Sequence, residues 1–368
     1  MTTPKVGKVQ PPIEKLVGMT TSDGWKITEK TSRSSIQTGG CFSVGYLVEH
    51  EDGRRGYLKA LDFQQALNSA DSARELQKML TVYNFERDLL EFCNQNGMSR
   101  IVRAITSGSF DVPGAPLDKI YHLIFELADG DARTQASAVK RRDYAWASKM
   151  CHQVAVGMWQ LHRAGITHQD LKPSNVLVFF NGSQSKLADL GRAHSDRLTA
   201  PHDELLMPGA RTYAPPEQLY SYEPDNRLKA RRAADLYLLG SMIMFGFSGS
   251  PMTPLIMAEL RVEHRPFSVA QGDGWHGFFY DVLPYVREAW AICIENFEQR
   301  LVADLPRSAH KQVGNIAEIV RYLTDPDPDQ RGHPQSKLRS PEKALDLERI
   351  VSRLSHTAAA LSYIKRTS

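Results

Sequence analysis

Cysteine is scarce and scattered in this sequence. Its four cysteines, Cys41, Cys93, Cys151 and Cys293, form no CxxC pair and no Cys/His spacing suited to a metal. They read as free thiols of a reducing compartment, which excludes a disulfide scaffold. Long hydrophobic runs are missing too. The longest, Leu236 to Phe247, is interrupted by Gly240 and Ser241 and is too short to span a bilayer. Met1 to Val17 is polar and lysine-containing, without the apolar centre of a secretion signal. These absences set the expectation of a cytoplasmic chain with no membrane partner. Nor does charge of one sign dominate. Lys and Arg number 45 against 42 Asp and Glu, a net charge of +3, so nothing global points to nucleic acid. The basic runs Lys140-Arg141-Arg142 and Arg231-Arg232 read as solvated faces.

What is present is an ordinary globular balance: 368 residues, 42% hydrophobic and 24% charged. The length suggests about two domains. Residues 1–20 are expected to be disordered, and no internal repeat is visible. Trp25 to Leu61 has β-like runs, Tyr46-Leu47-Val48 and Tyr57 to Leu61, around a turn at Glu51-Asp52-Gly53. Residues 64–94 switch to helical spacing, with Leu80, Tyr83, Leu90 and Cys93 as the apolar stripe. Ile101 to Ser107 and Ile120 to Leu127 read as strands joined by a hairpin that carries Pro113-Gly114. After Gly130 the texture is mostly helical. Tyr144, Ala147, Cys151, Val154, Met158 and Leu161 make one face of a long helix that stops at Gly165. Ser340-Pro341-Glu342 has the residues of a helix start and is expected to open a last helix bearing Leu345, Ile350, Leu354 and Leu361.

The densest cluster of chemistry-bearing residues follows the long helix. His168-Gln169-Asp170-Leu171-Lys172-Pro173-Ser174-Asn175 places a carboxylate, a lysine and an amide within one loop. Asp189-Leu190-Gly191 follows, its Asp nineteen residues after Asp170. Lys59 lies near the end of a strand, with Tyr57 and Leu61 on its own face and Leu58 and Ala60 on the other. Further along come Tyr213-Ala214-Pro215-Pro216-Glu217, Asp235-Leu236-Tyr237-Leu238-Leu239-Gly240 and Asp327-Pro328-Asp329-Gln330-Arg331. Each piece alone is weak. Their joint order and spacing resemble the eukaryotic-type (Hanks-type) Ser/Thr protein kinases, over residues 30 to 335.

That resemblance implies an α+β fold of two lobes: a small antiparallel β-sheet N-lobe plus helix, and a larger, mainly helical C-lobe. The expected organisation is a kinase domain at 21–335, with the N-lobe at 21–127 and the C-lobe at 128–335. A C-terminal helical tail occupies 336–368. It implies transfer of the γ-phosphoryl of ATP, with Mg²⁺, to a protein Ser/Thr hydroxyl. Asp170 would orient the hydroxyl and Lys172 would sit near the transferring phosphoryl. Asn175 and Asp189 would be the metal ligands. Lys59 would touch the nucleotide phosphates and pair with a helix glutamate. Glu86 fits best, because Leu90 and Cys93 follow it at helical spacing, with Glu75 and Glu91 as alternatives. Gly40 and Phe42 match the middle glycine and aromatic tip of the family's phosphate-covering loop, whereas Thr38 and Ser43 replace its outer glycines. Glu126 and Ala128 would hold the adenine through backbone groups, with Phe125 behind it. Glu217 and Arg331 would form a buried ion pair, and Asp235 would brace the catalytic loop.

Some residues depart from the family pattern. Gln169 replaces an arginine that normally receives a phosphorylated residue, and an amide cannot pair with phosphate as a charge. Ala210 stands in place of a threonine that bonds the catalytic Asp, with Thr212 as a nearby substitute. Tyr57 and Gly45 invert the usual sizes of two neighbours above the base. The spacing from Asp235 to Arg331 leaves room for an insertion at about 250–315, containing Trp275, Phe278, Phe279, Tyr280 and Trp290. It reads as extra helices, or alternatively as a docking surface for a partner. Two other functions stay open: a pseudokinase that binds and scaffolds, and a kinase of small-molecule hydroxyls. The Glu217 and Arg331 motifs speak against the second.

Overall fold

A computed structural model describes residues 12–31, 43–113, 119–137, 142–270, 272–340 and 343–367. The chain divides into two compact units, 1–96 with 102–128, and 97–101 with 129–368.

The first unit is built on one antiparallel sheet of β1 (Trp25–Lys30), β2 (Ser43–His50), β3 (Arg55–Leu61), β4 (Ala104–Asp111) and β5 (Lys119–Glu126), in the order β1-β2-β3-β5-β4. Period-two patterning sets its faces. Leu58 and Ala60 of β3 are buried, while Tyr57, Lys59 and Leu61 are half-buried on the opposite face. The helical stretch expected over 64–94 is two helices, α1 (Gln64–Leu67) and α2 (Ser72–Gln95). The break is chemical: Ser69 Oγ bonds back to Ala66 O, and the Asp71 carboxylate accepts from Arg74 N at 3.1 Å as a fresh N-cap. The strand expected from Ile101 begins at Ala104 instead.

Expected disorder across 1–20 gives way to order from Pro12 onward, residues 1–11 lying outside the described ones. Pro12–Lys15 form a 3₁₀ turn. It brings Ile13 and Leu16, three residues apart, into the apolar cluster of Trp25, Ile27 and Tyr46. The Tyr46 hydroxyl donates to Ile13 O.

His122 of β5 is buried against Phe110, ring centroids 4.6 Å apart, and its Nδ1 has no hydrogen-bond partner. Burial pushes its pKa from 6.5 down to about 4, with the Asp23 carboxylate opposing in part. Between those values the unfolded chain binds a proton that the folded chain refuses, so stability is complete above pH 6.5 and falls toward pH 4. The loss approaches about 3 kcal/mol, from 1.36 kcal/mol per unit. Urea titrations at pH 7 and pH 4.5 test this: His122→Leu should flatten the difference, and an equally steep loss in the variant would reject it.

The second unit opens with β6 (Gly130–Asp131) and α3 (Ala132–Ser137), followed by α4 (Tyr144–Arg163). Asp143 caps α4 through Trp146 N at 3.0 Å. Ala147, Cys151, Val154, Met158 and Leu161 are all buried. The chain leaves α4 through Gly165 at φ 73°, where a side chain would be strained. Then come β7 (Ile166–Thr167), β8 (Val176–Phe179), β9 (Gln184–Leu187) and β10 (His194–Ser195); β6, β8 and β9 form one small sheet and β7 and β10 another. The helices α5 (Pro216–Leu219), α6 (Arg227–Ser248), α7 (Met252–Glu259), α8 (Phe279–Asp304), α9 (His310–Thr324), α10 (Pro334–Arg339) and α11 (Glu348–Thr367) complete it. Helix α6 is buried from Ala233 to Phe247. Buried on all sides over this stretch, it is a core helix.

The last helix starts at Glu348, eight residues after the start expected at Ser340. Glu348 N bonds the Asp346 carboxylate at 2.7 Å, which gives the helix a later cap. Residues 341–342 lie outside the described ones. In the 250–315 region Phe279 is buried, whereas Phe278 is 82% exposed. Among the described residues, no helix is long and apolar enough to cross a membrane.

Candidate active site

The loop from His168 to Asn175 is pinned from beneath by one carboxylate. Asp235 of α6 is fully buried. Its Oδ2 accepts from His168 N at 2.8 Å and faces His162 Nε2 at 2.7 Å. Its Oδ1 accepts from Gln169 N at 2.8 Å and Gln169 Nε2 at 3.1 Å. Three bonds to this buried carboxylate hold the loop and the fourth contact ties it to α4, with Gln169 at φ 63°, a left-handed conformation unusual for a side-chain-bearing residue.

Asp170 follows directly. Lys172 Nζ donates to its Oδ2 at 2.7 Å and Ala210 N to its Oδ1 at 2.8 Å. Asn175 Nδ2 donates to Asp170 O at 2.8 Å and reaches Oδ2 at 3.3 Å. Two acceptors facing one amide atom require that atom to be the nitrogen, which turns the Asn175 oxygen the other way. That oxygen is buried and has no hydrogen-bond partner. Ala188 N donates to Asn175 O at 2.9 Å, and His168 Nε2 lies 3.2 Å from Ala188 O. These contacts carry the chain into Asp189, itself at φ 62°. Leu190 is fully buried.

The Ala210 contact explains how a side-chain anchor can be missing. A backbone N–H supplies the bond to Asp170, and Gly209 permits the approach, since a Cβ there would overlap Gln169 O and lie 3.1 Å from Asp170 Oδ1. Thr212 is exposed and does not substitute. A backbone donor leaves no mark in a sequence; Gly209 was the one available signal.

In the first unit, Lys59 Nζ lies 3.0 and 3.2 Å from the two carboxylate oxygens of Glu86 on α2. The alternatives are engaged elsewhere: Glu75 with Lys78 at 3.2 Å and Glu91 with Gln95 at 3.1 Å. Glu126 closes β5, its N–H donating to Arg103 O at 3.1 Å and its side chain accepting from Arg103 N at 2.8 Å. Ala128 is half-buried at the end of this unit, and Phe125 is buried. Gly40 and Phe42 lie outside the described residues.

Tyr57 leans over Gly45, as the exchange of sizes suggested. A Cβ at Gly45 would overlap the Tyr57 hydroxyl and lie 2.7 Å from Tyr57 Cζ. Burial raises the Tyr57 pKa, offset by the nearby Lys59 charge and a hydrogen bond with Thr31. Gly45→Val should therefore destabilise the protein by about 1–3 kcal/mol, the usual cost of overpacking. Adding Tyr57→Ala should recover part of that, as residues sharing one volume are coupled, while Thr31 Oγ1, 2.5 Å from the same Cβ, still has to shift. Urea unfolding of both single variants and the double variant decides it: strictly additive losses would mean that the two share no space.

Arg331 and Glu217 meet in the second unit through two parallel bonds, 2.7 and 2.6 Å. Arg331 is fully buried and lies over the Tyr237 ring, 4.9 Å from its centroid. The run Arg231-Arg232 differs from the solvated face expected of it. Arg231 is largely buried and lies 3.0 Å from Asp203 Oδ1.

A protein kinase domain family model matches residues 39–271, well over half the chain. The chain is 32% identical over 133 residues to a calcium and calcium/calmodulin-dependent serine/threonine-protein kinase of Pisum sativum, covering 35% of this chain and 24% of the relative. It is 31% identical over 165 residues to a calcium/calmodulin-dependent serine/threonine-protein kinase of Malus domestica, covering 43% and 37%. A third relative, the serine/threonine-protein kinase AfsK of Streptomyces coelicolor, is 38% identical over 101 residues, covering 27% and 11%. The chain thus spans well under half the length of these relatives. A strand-rich unit with a Lys–Glu pair, a helical unit with a braced aspartate loop, and the family match agree: the chain belongs to the protein kinase domain family.

Proposed function

We propose that this protein transfers the γ-phosphoryl group of ATP, with Mg²⁺, to Ser/Thr hydroxyls of proteins. The observation that carries the reading is the Asp170–Asn175 pair: a carboxylate oriented by three donors, beside a buried amide oxygen without a protein partner. A buried acceptor left bare is costly unless something else satisfies it. A hard cation that favours oxygen ligands fits that oxygen together with the Asp189 carboxylate. Bound there, Mg²⁺ would neutralise charge on the nucleotide phosphates.

The remaining steps belong to the chain's own groups. The substrate hydroxyl oxygen bonds to the γ-phosphorus as the bond to the β-bridging oxygen breaks, leaving ADP. Asp170 orients the hydroxyl and takes its proton. Lys172, 2.7 Å from Asp170, places a positive charge near the transferring group. Lys59, oriented by Glu86, supplies a cation for the nucleotide phosphates. The Ser/Thr preference and protein substrates rest on the likeness to serine/threonine-protein kinases.

The test is transfer of radiolabelled γ-phosphate from ATP to the protein itself and to a generic basic protein, beside a panel of small hydroxyl compounds. Mg-dependent label on serine or threonine is expected. Nucleotide binding without transfer would replace this reading with a scaffold, and label confined to small hydroxyls would replace it with a small-molecule kinase.

A further inference from the structure

The segment from Asp189 to Glu217 is anchored by a device that the motifs do not reveal. Gln169 commits its side-chain amide to α6. Its Nε2 donates to Arg231 O at 2.9 Å and to Asp235 Oδ1 at 3.1 Å, both on α6. Arg231 itself is a cation that meets the segment. Its NH2 lies 2.8 Å from Asp203 O and 3.0 Å from Asp203 Oδ1. Arg227, one turn earlier on α6, donates to the same carbonyl at 3.3 Å. His194 of β10 adds a third contact, its Nδ1 2.8 Å from Asp203 Oδ1 and its Nε2 3.3 Å from Asp196 Oδ1. Asp203 is thus gripped by two arginines of α6 and a histidine of β10.

We propose that Asp203 is a positioning residue for phosphoryl transfer, its carboxylate holding the segment on Arg231 in the way a phosphate group otherwise would. The inference rests on the kinase reading above. Its physical chain is short. Arg231 holds Asp203 through its side chain and Gln169 through its carbonyl, and Gln169 precedes Asp170. Seven residues beyond Asp203, Ala210 N bonds Asp170 Oδ1. The same turn of α6 therefore fixes both the base and the strand of chain that orients it. A carboxylate is a permanent charge, so the arrangement needs no phosphorylation. Of the segment's hydroxyls, Ser195 is buried, with its Oγ accepting from Arg197 N at 3.2 Å; Thr199 and Thr212 are exposed.

The experiment uses the full chain after phosphatase treatment, with mass spectrometry establishing that no phosphate remains. Wild type, Asp203→Asn, Asp203→Glu, Arg231→Gln and the Asp203→Asn/Arg231→Gln double variant are compared. Initial transfer rates to a basic protein are measured across ATP concentrations, beside tryptic cleavage at the exposed Arg197 and Arg211. Asp203→Asn and Arg231→Gln should each lower kcat about tenfold, the scale of a modest misplacement. The KM for ATP and the melting temperature should hold. The double variant should be no worse than either single one, and Asp203→Glu should keep most of the rate. Trypsin should cut Asp203→Asn faster than wild type. Unchanged kcat in Asp203→Asn, or Asp203→Glu as slow as Asp203→Asn, would overturn the positioning role. So would a wild type that loses its rate when dephosphorylated. If wild type transfers no phosphate at all, the kinase reading fails first; equal tryptic rates in wild type and Asp203→Asn would then separately dispose of the anchor.

Discussion

Asp170→Asn is expected to lower the rate of phosphoryl transfer by about 10²–10⁴-fold, the usual worth of a positioned base. Nucleotide affinity should hold, because Asp170 is placed for the hydroxyl. The fold should also survive. Asn keeps the oxygen that accepts from Ala210 N, now 2.8 Å away, and Asp235 continues to hold the loop. What is lost is the negative oxygen between Lys172 and Asn175, since an amide NH₂ there would face two donors. Asp189→Ala should behave differently. It removes a carboxylate assigned to the metal, so Mg-dependent ATP affinity should weaken along with the rate. Steady-state rates and calorimetric ATP titrations of the two variants separate these cases. Asp170→Asn with more than about half of wild-type activity would remove Asp170 from the base role, since no positioned base contributes so little.

Loss of either partner of the Glu217–Arg331 pair costs about 3–5 kcal/mol, because the survivor is a buried charge without a counter-charge. Arg331 has further obligations. Its Nε donates to Asp325 O at 2.8 Å and its NH1 to Ala233 O at 3.1 Å. These bonds tie α5, α6 and the turn before α10 together, so Arg331→Met leaves carbonyls unpaired as well as Glu217 unbalanced. Glu217→Gln keeps the shape and removes only the charge. The double variant Glu217→Gln/Arg331→Met should cost clearly less than the sum of the two single losses, since it buries no net charge. Urea midpoints followed by tryptophan fluorescence, at constant slope, give the three values. Single losses below about 1 kcal/mol, the range of an exposed pair, would show that the pair adds nothing beyond a surface bridge.

Much of the fold was legible because its signals are local. Alternation in β3 places Lys59 with Tyr57 and Leu61, and the observed burial follows that alternation. The apolar face of α4 is likewise a matter of spacing, with Gly165 as its stop. Where the reading failed, the deciding interaction was a single polar contact or a long-range one. Asp71 and Asp346 start helices later than the apolar spacing and the Ser340-Pro341-Glu342 start signal suggested, because one carboxylate satisfies an otherwise orphaned N–H. Pro12 to Met19 is ordered by a cluster drawn largely from residues far along the chain, which composition cannot register.

The sequence by itself pointed to the family and to the candidate groups: two lysines, two aspartates and one asparagine, at spacings that follow from chain order. Only the tertiary structure decided which glutamate meets Lys59, because Glu75, Glu86 and Glu91 sit on the same helix and differ only in the direction each faces. It also decided what anchors Asp170 in place of a threonine, since the donor is a backbone N–H brought close by a glycine. And it turned Arg231 from one of two adjacent basic residues into the partner of Asp203, 28 positions earlier in the chain. Spacing encodes what neighbours in sequence can do; a charge pair closed across such a distance exists only once the chain between its ends has folded.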